Sequence, residues 1–193
     1  MTRAAPMPPE ERRASLIEAT LPLLLTHGPS LTTKQVAEAA GVAEGTIFRV
    51  FTSLPDLIAA TTREALSAAR LQRDIAAVDP GDSLLAKSQA AIVILTQRMT
   101  DIRSLLHTVH HAPGADGGEC LRTELEARKD ELEQWLLGQL EPHVDELSVP
   151  PAQYVEFLRT LALGHVFNYA HGSAALTPET LASLALSGAR KAN

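Results

Sequence analysis

Apolar and polar positions repeat with the period of a helix along most of the chain. Between Glu10 and Leu25, Ile17, Leu21, Leu24 and Leu25 gather on one face while Arg12, Arg13 and Glu18 stand off it, and Gly28-Pro29 closes the segment. Pro22 inside this stretch removes a backbone hydrogen bond and is expected to kink its last turns. Thr32-x-x-Gln35 has the form of a capping box ahead of a short helix to Ala40. Gly41 breaks that helix, and a second short one is expected from about Glu44 to Val50. Ser53 and Pro55 then open a long helix through Leu57, Ile58, Thr61, Ala65 and Leu66 to about Val78, stopped by Pro80-Gly81. Five more helices are predicted, near Ser83–Arg98, Asp101–His110, Gly118–Leu140, Pro150–His171 and Pro178–Arg190. His111–Gly117, Pro142–Ser148 and Gly172–Thr177 separate the later ones. No stretch alternates apolar and polar residues for long enough to suggest a strand.

The segment Thr33–Phe51 is the most informative. Two short helices crossing steeply at a tight turn need a small residue where one packs over the other, here Ala37, and a permissive turn residue, here Gly41. Val36, Ala40, Val42, Ile47 and Val50 or Phe51 would form a miniature core. The pattern therefore predicts an all-α protein. Residues 1–52 form a three-helix helix-turn-helix domain, preceded by a proline-rich arm over 1–9, and residues 53–193 form a larger helical body.

Composition agrees with this. Of 193 residues, 45% are hydrophobic and only 4% aromatic, with Ala and Leu dominant, which suits packed helices. A formal charge of −6 argues against a surface that coats nucleic acid as a whole, but a small DNA-reading face on an acidic body remains compatible with it. The single cysteine, Cys120, fits a reducing compartment. The longest apolar run, Ala90–Leu95, is far short of the roughly 20 residues that span a bilayer, so a cytoplasmic protein without membrane contact is expected.

From Arg13 to Leu57 the sequence resembles the tetracycline-repressor (TetR) family of bacterial regulators. The resemblance is carried by the helix ending at Gly28, the Leu31-Thr32-Thr33 entry, the run Val36 to Val42, the run Gly45 to Arg49, Phe51, and Ser53 with Asp56 and Leu57. Beyond this first third, only length and helix layout correspond. The resemblance implies a homodimer that binds a palindromic double-stranded operator, represses, and is released by a small-molecule effector held in the C-terminal body. Family positions that meet DNA fall on Thr33, Lys34, Glu44, Gly45, Thr46, Phe48 and Arg49. Thr33 and Thr46 hydroxyls and the Gly45 amide suit phosphate oxygens, while Lys34 and Arg49 can reach guanine edges or phosphates. Glu44 could accept from a cytosine amino group, and a solvent-facing helix-dipole charge is its plainer reading. The family's Tyr, His and Lys are here Phe48, Val50 and Leu54, and a frequent capping Ser is Ala43. Residues 1–60 hold five basic and six acidic side chains, so few phosphate contacts and a shallow salt dependence are expected.

For the body, the resemblance implies a dimer four-helix bundle built from the last two helices, with Tyr154, Leu158, Leu161 and His165 on one and Leu181, Leu184 and Gly188 on the other. The same residues could equally pack within the monomer. An effector cavity is expected among the helices from Ser83 to Leu140, closed by Pro150–His171. Its candidate liners are Met99, Ile102, Leu106, His107, His110, Leu132, Trp135, Leu136, Phe157 and Asn168. His107, His110 and His111, with Asp116, Glu119 and Cys120 nearby, could meet a metal, but a histidine-rich helix end is the simpler explanation, and no metal or cofactor is expected. Glu124, Glu126, Glu131 and Glu133 among Arg122, Arg128 and Lys129 read as a solvated face, and no phosphate loop or nucleophile motif suggests an enzyme. The alternative function is a dimeric sensor or interaction protein of this fold with weak or lost DNA binding.

Overall fold

A computed structural model describes residues 8–111, 118–169 and 176–189, with side-chain environments for 8–108, 122–167 and 176–188. Every regular element among the described residues is helical, as the periodicity predicts. The helices are α1 (Pro9–His27), α2 (Thr33–Ala40), α3 (Glu44–Ile47), α4 (Leu54–Ala65), α5 (Ala68–Ala76), α6 (Leu84–His111), α7 (Gly118–Leu140), α8 (Pro151–Tyr169) and α9 (Pro178–Ala189).

The chain divides into two compact units, and the division is not a single cut. One unit comprises Met1–Ser67 with Ile102–Leu121, the other Ala68–Asp101 with Arg122–Asn193. The sequence boundary between residues 52 and 53 coincides with Ser53, the N-cap of α4, and lies inside the first unit.

In the first unit α1 packs against α2 and α4, and α2 against α3. Leu16, Leu24, Val36, Ile47, Phe51 and Leu57 are fully buried there. α1 continues through Pro22, which is exposed, as is Glu18, whose carbonyl loses its amide partner. Leu105 and Thr108 of α6 are buried, and the Thr108 hydroxyl lies 3.4 Å from where a Cβ on Gly28 would stand.

In the second unit Leu71, Leu84, Ile92, Leu95, Leu132, Leu136, Tyr154, Val155, Leu158, Ala182 and Ala185 share one core. Two polar features cross it. The Ser88 hydroxyl donates to the Leu84 carbonyl at 2.6 Å and pairs with the Tyr154 phenol at 2.9 Å. The carboxylate of Asp74 accepts from Arg70 Nε at 2.9 Å and from Arg98 at 3.1 Å, which gives the buried Arg98 guanidinium a counter-charge.

Two helix boundaries differ from those predicted. The single helix expected over Ser53–Val78 is two, because the chain leaves α4 at Leu66 (φ −96°, ψ 0°) as it passes from one unit to the other. No Gly or Pro marks that break, so only packing sets it. Conversely, Ser83–Arg98 and Asp101–His110 are one continuous α6. Thr100 sits within it by donating its hydroxyl to the Thr96 carbonyl at 2.8 Å.

Candidate nucleic-acid interface

The helix-turn-helix is fixed by local chemistry at both ends of α2. Gln35 N–H donates to the Thr32 hydroxyl at 3.3 Å, and Thr32 N–H donates to Gln35 Oε1 at 2.9 Å, which completes the capping box read from the sequence. At the other end Gly41 takes the left-handed conformation (φ 65°, ψ 33°). Val42 N–H then reaches the Ala37 carbonyl at 3.0 Å and Gly41 N–H the Glu38 carbonyl at 3.3 Å. This pair of bonds is a Schellman motif, and it needs the positive φ that glycine accepts without strain. Ala37 is buried beneath the crossing, as its size allows.

α3 is shorter than the sequence suggests. Its regular turns end at Ile47, and Phe48–Val50 continue as tighter turns through Arg49 N–H to Thr46 O and Val50 N–H to Ile47 O. Ala43 caps it without a side-chain hydrogen bond, as expected where Ala replaces Ser. Phe51, not Val50, fills the core position, and the Arg13 guanidinium stacks 4.4 Å above its ring. At the start of α4, Ser53 Oγ accepts from Asp56 N–H, while the Asp56 carboxylate accepts from Thr52 N–H and its hydroxyl, which locks the exit from the motif.

The sequence-predicted DNA residues lie together on this motif. Lys34, Glu44, Gly45, Phe48 and Arg49 are exposed, while Thr33 and Thr46 are half-buried. Phe48 leaves half its surface open, unusual for an aromatic side chain. Lys34 pairs weakly with Glu38 at 4.0 Å, both side chains well solvated. Thr33 differs from its sequence reading: its hydroxyl donates to Glu44 Oε2 at 2.8 Å, tying α2 to α3. That proton is committed to a carboxylate, and Glu44 stands as an exposed charge in the first turn of α3, as its plainer reading had it. Arg3 lies outside the described residues.

The body residues separate into groups. Met99, Leu132, Trp135 and Leu136 come together in or against the core of the second unit. Ile102, Leu106 and His107 belong to the first unit, with Leu106 and His107 exposed. Phe157 is 45% exposed and faces away from the core. The side chains of His110 and Asn168 lie outside the described residues, as do those of His111, Asp116, Glu119 and Cys120. Among the described residues no group of His, Cys, Asp or Glu is placed to hold a metal ion. Tyr154 and Leu158 are wholly enclosed, and Leu181 nearly so, so they offer a partner no surface. Leu161 and His165 are half-buried, while Leu184 and Gly188 are exposed. The outward face of α8 is instead the one carrying Phe157, Leu163, Gly164 and Phe167.

The solvated-face reading of α7 holds for Arg122, Glu126 and Lys129, which are exposed, but not for Arg128 and Glu131. Arg128 pairs with Glu131 at 3.0 Å with its side chain only 16% exposed, and Arg128 Nε and Glu131 Oε2 are buried without hydrogen-bond partners among the described residues. The signal was available, since 128, 131, 132 and 135 recur at helical spacing on one face with core Leu132. Glu133 likewise reaches Arg159 of α8 at 3.4 Å.

The geometry is that of a helix-turn-helix with an exposed face joined to a helical body, and comparison with known proteins narrows its class. Residues 16–61 match the family described as bacterial regulatory proteins, tetR family. Solved structures extend the likeness over nearly the whole chain. A TetR transcriptional regulator of Streptomyces coelicolor is 21% identical with a TM-score of 0.54, covering 94% of this chain and 99% of that one. A TetR-family regulator of Agrobacterium tumefaciens is 14% identical with a TM-score of 0.58, covering 95% and 100%. The structure described as superantigen PfiT is 21% identical with a TM-score of 0.58, covering 97% and 100%. No curated protein matches the chain by sequence. The chain thus carries the tetR-family helix-turn-helix within the fold of TetR-family transcriptional regulators. No helix among the described residues is long and apolar enough to cross a membrane.

Proposed function

We propose that this protein is a cytoplasmic transcription regulator that binds a palindromic operator as a homodimer, represses, and lets go when a small molecule enters its second unit. The observation that carries this reading is the doubly locked α2–α3 motif, which holds Lys34, Gly45, Phe48 and Arg49 exposed on one element pair. Dimerisation is assigned to the outward face of α8 and α9, where Phe157, Leu163, Phe167 and Leu184 are 45%, 46%, 54% and 59% exposed beside Gly164 and Gly188. Such a row of exposed apolar side chains at helical spacing suits a self-complementary two-fold contact. For the effector, Met99 and Trp135 supply apolar surface, and Arg128 with Glu131 supplies the polar groups that orient a ligand.

The test is selection of bound duplexes from random DNA with the full chain. Enrichment of a palindrome, lost in Arg49→Ala and weakened in Lys34→Ala while sedimentation still reports a dimer, is the expected result. Leu184→Glu should yield monomers. A second reading, an interaction protein without DNA binding, is favoured by the acidic balance of residues 1–60 and would be adopted if no sequence were enriched.

A further inference from the structure

The bond from Thr33 to Glu44 leaves one carboxylate oxygen of Glu44 spare. Thr33 Oγ donates to Oε2 at 2.8 Å, while Glu44 as a whole remains exposed and Oε1 has no hydrogen-bond partner among the described residues. A glutamate on a surface ordinarily samples many rotamers, and fixing one costs entropy. Here the α2 hydroxyl tethers the side chain beside Gly45, around which a Cβ would meet nothing among the described residues within 4 Å. The result is a preset, acceptor-only group on an open part of the motif.

We propose, resting on the operator-binding reading above, that Glu44 held by Thr33 determines specificity by requiring a cytosine at one position of each operator half-site. In the major groove cytosine offers only its N4 amino donor. Guanine offers the acceptors O6 and N7, thymine the acceptor O4, and adenine sets the acceptor N7 beside its amino group. A carboxylate therefore gains a charge-assisted bond opposite cytosine and meets acceptor lone pairs opposite the other three. It also repels phosphates wherever the protein lands, so it weakens binding to all DNA and is compensated only at a cognate base. A motif with as few cations as this one gains discrimination from such a group at the expense of grip. Thr33 is the positioning residue, because without its hydroxyl the carboxylate loses its fixed direction.

The experiment compares duplexes selected from a random pool by the full-length protein and by Glu44→Gln and Thr33→Val, with circular dichroism confirming that both variants fold. The native protein should enrich a palindrome with one strongly preferred C·G pair per half-site, by about tenfold or more over other pairs. Glu44→Gln should move that column alone toward adenine, which the Gln amide can contact through both N6 and N7. Thr33→Val should flatten the same column and leave the others intact. Identical motifs from the native protein and Glu44→Gln would overturn the proposal while leaving the regulator reading in place. So would a uniform gain in affinity in Glu44→Gln without change of preference. Failure of the native protein to enrich any sequence would overturn the regulator reading, and this proposal with it.

Discussion

Ser88 and Tyr154 make an unequal pair, and the inequality can be measured. Ser88 has one hydroxyl proton, and it goes to the Leu84 carbonyl at 2.6 Å. The 2.9 Å contact with Tyr154 must then be donated by the phenol into the serine oxygen. Both side chains are fully buried, and the burial pushes the Tyr154 pKa above its usual 10.0. Ser88→Ala removes the acceptor and strands a buried phenol, which should cost about 1–3 kcal/mol. Tyr154→Phe removes the donor and leaves Ser88 still bonded to Leu84, so its cost should be nearer 1 kcal/mol. In Tyr154→Phe/Ser88→Ala no stranded donor remains, and the double variant should be more stable than the two single losses summed by about 1 kcal/mol. Urea unfolding followed by Trp135, which packs against the same core, reads all three. Equal costs for the two single variants, or strict additivity, would refute the donor assignment.

Two further predictions concern charge and backbone. Burial holds the Asp101 carboxyl above its ordinary 3.8, outweighing the hydrogen bond from Gln97 and the attraction of Arg98. The folded state therefore keeps a proton that the unfolded chain releases, and stability falls as pH climbs upward from 3.8. Asp101→Asn should raise the urea midpoint at about pH 7, with the advantage gone by about pH 3, and an equal gain at both would contradict this. Gly41→Ala and Gly81→Ala both impose a left-handed conformation on an L-residue, costing about 1–2 kcal/mol. Gly81→Ala should be the worse, because its Cβ would stand 2.8 Å from that of Ala86, whereas Gly41 has open space. Thermal melts showing the reverse order would contradict the steric argument.

The sequence was most legible where a few adjacent residues decide the outcome. The Thr32–Gln35 box, the Gly41 turn and the small Ala37 are local devices, and each stands where its spacing indicated. Legibility failed where distant packing decides. The break at Leu66 has no breaker residue, and nothing near Met99 or Thr100 announces that α6 runs on without interruption. The phase of α8 stayed open between a dimer face and a monomer core for a related reason. Tyr154 and Leu158 on one side and Phe157, Leu163 and Phe167 on the other are both apolar, so hydropathy alone could not say which side faced inward. Thr33 and Glu44 stand eleven residues apart, and only the turn at Gly41 brings them within bonding distance. Arg128 and Glu131 were hidden by their charge, which suggests solvent until the helical spacing with Leu132 is given equal weight.

The chain order has a practical corollary. The unit bearing the helix-turn-helix includes Ile102–Leu121, yet the chain reaches that segment only after passing through Ala68–Asp101 of the other unit. A fragment ending at Ser67 would keep every residue of the reading motif but would lack Leu105, and would lose Thr108 from beside Gly28. No single proteolytic cut or gene truncation can release either unit whole. Swapping the second unit at one junction would cut through a core, and a working chimera would need three exchange points along the chain rather than one.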